Sequence, residues 1–391
     1  MSSNSFLFAD PAAGPFAAHT ADLLQLDKLG RRRTLAARDG IDFASNDYLG
    51  LASSGQLAAA AKTAIERGVP VGSGGSRLLR GNHPEHEALE AEAAAHFGSE
   101  SALYFANGFS ANGALLAALP QRGDLVVHDA LIHASAHDGM QLGRAEFIAA
   151  QHNDPAAFEH AIKNWRANGG TGQVWIAAET LYSMDGDQAP LDDLAEIADR
   201  YEAILLLDEA HTTGLFGPAG RGLAAHLEGA PNVVTLRTCG KALGCDGALV
   251  CGPLAMTDFL INRARGFIFS TAPSPLMAAC VREALRLIED DGPRAQLRSR
   301  IAVAQTALGR ATGSQIIPIV LGDERRTMDI ARQLRQAGFD VRGIRPPTVP
   351  HGTSRLRISL TLNASEDNIR ALGAALAGIW DGEDVRCLAT S

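Results

Sequence analysis

Residues 203–211 read AILLLDEAH, five apolar residues that end at Asp208. A short apolar run without polar alternation is typical of a strand that is buried on both faces of a sheet. Further runs of this kind begin at residues 102, 124, 173, 232 and 247, with the sequences ALYFA, DLVVHD, QVWIAAET, NVVTLRT and GALVCG. Helical patterns separate several of them, among them PEHEALEAEAAAHFG from Pro84 to Gly98 and DDLAEIADRY from Asp192. The alternation predicts an α/β fold with a large, mostly parallel sheet and right-handed crossovers.

The two ends of the chain do not follow this alternation of strand and helix patterns. Residues 1–55 contain one helical pattern, ADLLQLDKLGRRR, and then an extended arm, IDFASNDYLGL. After about residue 290, strand-like runs such as QIIPIVLG and SRLRISLTL mix with two helical patterns, RRTMDIARQLRQAG and SEDNIRALGAALAGIW. We therefore predict an N-terminal helix and arm over 1–55, a large domain over 56–290 and a smaller α+β C-terminal domain over 291–391.

Composition narrows the class of protein. The chain has 391 residues, of which 46% are hydrophobic and 20% charged, as in ordinary globular proteins. The net charge of −9 argues against nucleic acid or an anionic membrane as the partner. The N-terminus lacks the basic start of a signal peptide, and no run reaches about 18 uncharged apolar residues, so we expect a cytoplasmic protein. The five cysteines form no C-x-x-C pair, which predicts reduced thiols.

Asp208 closes one predicted strand, and Lys241 follows the next one in the stretch TLRTCGKALGCDGALV. Ligands of open parallel sheets bind beyond the carboxyl ends of the strands, so both side chains are candidates for a site, together with His211. A desolvated lysine loses its proton readily and can form a Schiff base with an aldehyde such as that of pyridoxal phosphate (PLP), whose ring nitrogen an aspartate would hold protonated. The alternative is that Asp208 and Lys241 form a structural ion pair.

A phosphate group would need a cradle, and FANGFSANGALLAAL offers one. The strand ends before a turn at Asn107 and Gly108, and a helix begins near Phe109. Free N–H groups at a helix start favour an anion, and the Thr238 hydroxyl, three residues before Lys241, is a further candidate donor.

Two other kinds of site have partial signals. DEAH at 208–211 also names a class of helicases, but an ATPase of that class needs a G-x-x-x-x-G-K-[ST] loop, which the sequence lacks. Histidines cluster at His128, His133 and His137, and His83 and His86 are three apart, yet no H-E-x-x-H motif of a zinc hydrolase accompanies them. A binding protein without catalysis also stays open from the residues alone.

Seven segments occur in the order and spacing of a known family: GSGGSRLLRGNHPEHEALE, FANGFSANGALLAAL, DALIHASAHDG, ETLYSMDGDQAPL, LLLDEAHTTGLFGPAGRG, TCGKALG and IRPPTVPHGTSRLRISL. From SNDYLGL at residue 45 to its end, the chain resembles the α-oxoamine synthases, PLP-dependent acyltransferases with the fold of type I aminotransferases. The RPPTVP and GTSRLR segments are similar to the branch that condenses L-alanine with a pimeloyl thioester in biotin synthesis, with loss of CO2. Relatives that use glycine with an acetyl or succinyl thioester are the alternative.

The resemblance implies a role for each matching residue. Lys241 would form the Schiff base, Asp208 would pair with the ring nitrogen, His211 and Ser183 would lie near the ring oxygen, and His133 would stack on the ring. Gly108, Phe109 and Thr238 would hold the phosphate. Arg355 would bind the amino-acid carboxylate, a task that suits its planar guanidinium group, and Asn46 would also contact substrate.

The resemblance also implies a homodimer with active sites at the interface. Ser270 and Thr271, in FIFSTAPSP, would reach the phosphate of the neighbouring site. This segment departs from the more frequent form with two adjacent prolines, and Cys239 and Cys245 flank Lys241 where other residues are common. The thiol carrier, CoA or an acyl-carrier protein, is left open by the sequence.

Overall fold

The computed structural model describes residues 14–35 and 37–379. The strands are β1 (Ile41–Asp42), β2 (Ser101–Phe105), β3 (Leu125–Asp129), β4 (Glu146–Ala150), β5 (Val174–Glu179), β6 (Ile204–Asp208), β7 (Val233–Thr238), β8 (Ala248–Gly252), β9 (Ile316–Gly322), β10 (Phe339–Asp340), β11 (Arg342–Ile344) and β12 (Ser354–Ser359). The helices are α1 (Ala17–Lys28), α2 (Gly55–Glu66), α3 (Pro84–Phe97), α4 (Gly108–Ala118), α5 (Ala134–Leu142), α6 (Pro155–Ala167), α7 (Leu191–Arg200), α8 (Leu254–Arg263), α9 (Arg265–Ile268), α10 (Pro275–Leu287), α11 (Asp291–Leu308), α12 (Glu324–Gln336) and α13 (Glu366–Ile379).

A seven-stranded sheet forms the centre of the larger of two compact units, which comprises residues 45–317 and 359–370. Its strand order is β2-β8-β7-β6-β5-β3-β4, and β8 alone of these strands runs antiparallel to its neighbours. The predicted α/β fold with a mostly parallel sheet is confirmed. The prediction missed β4, because this edge strand has mostly exposed or half-buried side chains and therefore no continuous apolar run.

Each face of the sheet is covered by helices. Side chains of α4, α5 and α8 meet one face in a cluster that contains Leu115, Met140 and Leu260. Side chains of α6 and α7 meet the other face in a cluster with Ile162 and Leu194. Alternate residues of β6 enter opposite clusters, Leu206 the first and Leu205 and Leu207 the second. This burial on both faces explains why the strand sequences are apolar throughout.

The local signals for helix ends hold in the structure. Helix α3 begins at Pro84, its amide at Glu85 donates to the His83 side chain, and it is followed by Gly98 in the left-handed conformation at φ +80°. Proline suits the first helical position because its missing N–H has no intrahelical acceptor there, and glycine adopts a positive φ without strain.

The smaller unit contains the described parts of residues 1–44, 318–358 and 371–391. In it β1 pairs in parallel with β10, while β11, β12 and β9 form a three-stranded sheet. These units differ from the predicted segments 1–55, 56–290 and 291–391. Helix α11 belongs to the large unit, since Leu297 and Ala304 are buried there and the Arg300 guanidinium donates to the carbonyl of Thr361.

Candidate active site

The carboxyl ends of three neighbouring parallel strands bring the predicted residues to one edge of the large sheet. Asp208, the last residue of β6, lies beside Glu179 of β5 and Leu236 of β7 in the strand register. Strand β7 ends at Thr238, and the chain reaches Lys241 three residues later. Asp208 is buried, with an exposed fraction of 6%. The strand ends therefore place an acid and an amine at the same edge, where α/β proteins bind ligands.

A chain of hydrogen bonds starts at the Lys241 amine. Its Nζ lies 2.9 Å from Nε2 of His211, and Nδ1 of that ring lies 2.7 Å from the hydroxyl of Tyr48. The Tyr48 hydroxyl in turn donates to Oδ1 of Asn46 at 3.0 Å. The Tyr48 hydroxyl gives its one hydrogen to Asn46, so it accepts the hydrogen that Nδ1 of His211 carries, and this leaves Nε2 to face the Lys241 amine. The hydrogen on Nδ1 sets the tautomer of His211. Asn46 is the second residue after His211 along this chain of hydrogen bonds.

A second chain of neutral groups holds Asp208. Its Oδ2 accepts a hydrogen bond from Nδ2 of Asn112 at 2.7 Å, and its Oδ1 accepts from the amide of Ala210 at 2.9 Å. Asn112 also donates to Oγ of Ser135 at 3.1 Å, and that hydroxyl lies 2.7 Å from Nδ1 of His133. Asp208 and His133 are thus connected through α4 and the first turn of α5.

His133 precedes α5, and its Nδ1 accepts from the amide of Ser135 at 3.2 Å. The pKa of His133 lies below its ordinary value, because burial disfavours the charged ring and the positive charge of Lys241 adds to this effect, while Asp208 opposes it. The structure therefore brings His133 within the electrostatic influence of both Asp208 and Lys241. The uncharged imidazole of His133 offers a flat ring face on which another planar group can stack.

Glu179 is a site residue that the sequence reasoning missed. Its side chain is buried, its Oε2 accepts from the amide of Ser183 at 3.1 Å, and its Oε1 has no hydrogen-bond partner among the residues that the structure describes. Burial, together with the charge of Asp208, raises its pKa to about 8, although Lys241 partly opposes the shift. The available signal was the apolar run VWIAA, which is followed by the acid Glu179 in the same way as AILLL is followed by Asp208.

The predicted phosphate cradle lies at the start of α4, whose first residue is Gly108. The Asn107 side chain accepts the amide of Ser110 at 2.8 Å, so the amides of Gly108 and Phe109 precede the capped one in the first turn. A Cβ placed on Gly108 would lie 3.5 Å from Oγ1 of Thr238. The helix start and the threonine hydroxyl therefore stand next to each other, with no side chain between them.

The structure gives local contacts for three further predicted residues, Ser270, Thr271 and Arg355. Ser270 and Thr271 are exposed and line a narrow crevice that Ser110 also lines, and the Ser270 hydroxyl donates to the carbonyl of Gly266 at 2.7 Å. Arg355 belongs to β12 in the small unit, where its Nε donates to the carbonyl of Thr353 at 2.9 Å.

The cysteines around Lys241 are buried thiols. Burial raises the pKa of Cys245 to about 12 and that of Cys239 well above its usual range. Their backbone closes the turn, since the amide of Cys245 donates to the carbonyl of Cys239 at 2.8 Å.

Within residues 14–35 and 37–379, no three histidine, cysteine or acidic side chains are arranged to hold a metal ion. Over the same residues, every helix is too short or too polar to span a bilayer.

Comparison with known proteins gives consistent results. The profile of the aminotransferase class I and II family matches residues 38–376. The 8-amino-7-oxononanoate synthase of Geobacter sulfurreducens is 41% identical over 361 residues, which cover 90% of this chain and 91% of that protein.

Two solved structures share the fold. A structure of SPT with PLP has a TM-score of 0.84 at 25% identity and covers 95% of this chain and 98% of its own. The 8-amino-7-oxononanoate synthase of Francisella tularensis has a TM-score of 0.72 at 27% identity, with coverage of 87% and 97%. The chain belongs to the aminotransferase class I and II family, in which it groups with the 8-amino-7-oxononanoate synthases.

Proposed function

We propose that this protein is a PLP-dependent acyltransferase. It would condense L-alanine with a pimeloyl thioester to form 8-amino-7-oxononanoate, CO2 and a free thiol, a step of biotin synthesis. One observation carries the proposal: the Lys241 amine lies 2.9 Å from His211 at the edge of the sheet where Asp208 is buried. Relatives of 41% identity that are 8-amino-7-oxononanoate synthases support the choice of reaction.

The residues at the site fit PLP. Asp208 accepts hydrogen bonds from two neutral donors, so its negative charge is available to a protonated ring nitrogen. The absence of a side chain at Gly108 lets an anion approach the start of α4 and the Thr238 hydroxyl together. Lys241 would hold the aldehyde, Gly108, Phe109 and Thr238 the phosphate, and His133 the face of the ring. His211 and Ser183 would lie at the ring oxygen.

PLP would supply an electron sink for the electron pair that remains on the α-carbon of alanine when the α-proton is removed. The chain provides the base for this proton: Nζ of Lys241, once it is released as a neutral amine, is a flexible acceptor within the site. His211 holds this amine in place through Nε2, and Tyr48 and Asn46 orient the ring of His211 through Nδ1. Nε2 of His211 would therefore hold the Lys241 amine by accepting one of its hydrogens.

We assign the alanine carboxylate to Arg355 and a further substrate contact to Asn46. A guanidinium group binds a carboxylate at two points, and this contact fixes which bond of the substrate faces the base. Fixed orientation matters here, because the α-proton and the carboxylate leave the same carbon in different steps.

We also propose a homodimer in which Ser270 and Thr271 contact the phosphate at the partner's site. Large apolar side chains that are exposed in the single chain support this proposal, among them Phe269 at 71% and Phe109 at 53%. Sedimentation of the purified protein tests it, and a monomer at working concentration would contradict it.

One assay tests the reaction and its substrates. Purified protein is incubated with alanine, glycine or serine and with acetyl, succinyl or pimeloyl thioesters of CoA and of acyl-carrier protein, while free thiol is measured. We expect the alanine and pimeloyl pair to be fastest, and the better carrier is read from the same data. Equal or higher rates with glycine and a short thioester would overturn the assignment of substrates.

A further inference from the structure

His152 lies between two carboxylates, one at the end of a strand and one in a turn. Its Nδ1 is 2.9 Å from Oδ1 of Asp129, the last residue of β3, and its Nε2 is 2.8 Å from Oδ2 of Asp187, in the turn after β5. The ring also contacts Tyr182 edge to face, with 4.5 Å between the ring centres. The titratable side chains that face His152 thus include two acids and one tyrosine.

The contacts determine the charge of His152. A neutral imidazole donates from one nitrogen only, whereas both nitrogens here face carboxylates, so the ring is a double donor and positively charged. Burial alone would lower the pKa of His152, but the hydrogen bonds that the ring donates to Asp129 and Asp187 raise it to about 10. The imidazolium also offsets the charge of Asp129, a buried carboxylate whose side chain is 1% exposed.

Asp129 fixes the loop that leads to His133. Its Oδ1 accepts from the amide of Leu131 at 2.7 Å, and its Oδ2 accepts from the amide of Asn153 at 2.9 Å. Asn153 adopts a positive φ of 52°, which is unusual for a residue other than glycine. The backbone after His152 is thus bent so that two successive residues bind the same carboxylate.

Asp187 fixes the turn that begins at Ser183. The carbonyl of Asp187 accepts from the amide of Tyr182 at 2.9 Å, and its Oδ2 accepts from Nδ2 of Asn153 at 2.8 Å. Asn153 donates as well to the carbonyl of Gln188 at 3.1 Å. His152 and Asn153 together therefore tie this turn to the end of β3.

We propose that His152 is a positioning residue that sets the loops of His133 and Ser183 relative to each other by donating from both ring nitrogens to Asp129 and Asp187. The proposal rests on the proposed function, which assigns His133 and Ser183 to the cofactor. The contacts of His152 that carry the proposal are those to Asp129 and Asp187, so it acts through the two acids.

The test is His152→Gln in the full-length protein with PLP. We expect kcat to fall by about tenfold to a hundredfold, since a displacement of roughly 1 Å at a reacting group has an effect of this order. The KM for alanine should change by less than about threefold, because alanine binding is assigned to other residues. Amide hydrogen exchange at Leu131 and Asn153 should become at least about tenfold faster, with and without PLP, because their acceptor is then a buried acid without its cation.

His226→Gln is the matched control. His226 also pairs with an acid, Asp192, at 3.0 Å, but both side chains are exposed, so kcat and exchange should equal those of the wild type. The proposal is overturned if His152→Gln leaves kcat and exchange at Leu131 and Asn153 unchanged. It is also overturned if exchange accelerates equally in β5 and β6 while kcat per folded molecule is retained, which would indicate global destabilisation only.

Asp187→Asn keeps the proposal testable if His152→Gln does not fold, since it preserves the buried pair of His152 and Asp129. We expect faster exchange at Tyr182 and Gly186, unchanged exchange at Leu131 and a decrease in kcat of about threefold. Wild-type exchange rates and a wild-type kcat in this variant would refute the proposal that His152 sets the two loops through Asp129 and Asp187. If no thioester is turned over with alanine, the proposed function fails, while the exchange pattern still decides whether His152 connects the loops.

Discussion

Two groups of buried charges lie side by side on β6 and β7, and they are balanced in different ways. Glu209 and Arg237 are the neighbours in sequence of the site residues Asp208 and Thr238. Arg237 is fully buried, binds Glu228, lies 3.6 Å from Glu209 and stacks 3.9 Å from the centre of the Phe97 ring. In this network each charge is met by an opposite charge or an aromatic face of the protein.

The site residues are held by neutral groups instead. Asp208 accepts from an amide side chain and a backbone amide, and His211 contacts a tyrosine hydroxyl. Neutral donors fix the position of a charged group while leaving its charge for a ligand. A buried charge that is paired within the protein has its charge already compensated, whereas a buried charge with neutral partners is available to a charged ligand. Five variants test this division, from the largest expected effect to the smallest.

Lys241→Ala should abolish the reaction without unfolding the protein. We expect kcat to fall by at least about 10⁴-fold, since the variant lacks the amine to which we assign the bond to the cofactor and the proton transfer. Thiol release and denaturant unfolding measure the two effects, with the exposed Lys62→Ala as control. Substantial turnover in Lys241→Ala would place the chemistry elsewhere.

Arg237→Leu should have the opposite profile. Removing the cation leaves Glu209 and Glu228 buried without compensation, so the free energy of unfolding should fall by about 3–5 kcal/mol. The kcat per folded molecule should stay within about twofold of the wild type. Denaturant unfolding compares this variant with Arg200→Leu, which removes an ion pair to Glu159 at the surface and should leave the free energy of unfolding nearly unchanged. A loss of kcat per folded molecule that exceeds about twofold would show that Arg237 also serves the reaction, and this would contradict the division between the two groups.

Asp208→Asn should impair turnover far more than folding. The change keeps the shape of the side chain but removes the charge, and we expect kcat to fall by at least about 10²-fold. Steady-state kinetics and thermal unfolding are measured on the same preparation. A variant with a near wild-type rate would show that the charge of Asp208 serves the fold.

Tyr48→Phe removes the hydroxyl between His211 and Asn46. The Nδ1 hydrogen of His211 then lacks its acceptor, and we expect kcat to fall by about tenfold, in line with the cost of roughly 1–3 kcal/mol for an unsatisfied buried donor. Tyr201→Phe, which removes a hydroxyl bound to Glu159, is the control and should retain activity. Equal kinetics of Tyr48→Phe and the wild type would show that the chain beyond His211 has no role.

Glu179→Gln should change the pH dependence of stability. Because the pKa of Glu179 is raised to about 8 in the folded protein, its contribution is fully present below its unfolded pKa and is lost as the pH rises through about 8. Between about pH 5 and pH 9 the wild type should therefore lose stability relative to Glu179→Gln. Denaturant unfolding of both proteins without PLP at the two pH values measures this effect. A constant difference would contradict the raised pKa.

The sequence predicted those parts of the site that follow from strand ends. Asp208 closes an apolar run and Lys241 follows the next one, so the parallel sheet itself brings them to one edge. Asn112 was missed because it looked like one polar residue on an otherwise apolar helix, and its contact with Asp208 spans 96 positions of sequence. His152 was missed for the same reason, since its two acids belong to segments whose proximity only the fold establishes.

The buried cysteines beside Lys241 also bear on covalent inhibitors. Alkylating and oxidising agents react with the thiolate, and the raised pKa values of Cys239 and Cys245 keep both sulfurs protonated and unreactive at neutral pH. Electrophiles that are chosen to capture Cys239 or Cys245 should therefore leave these two thiols of the folded protein unmodified, whereas carbonyl compounds that capture amines have a target in Lys241.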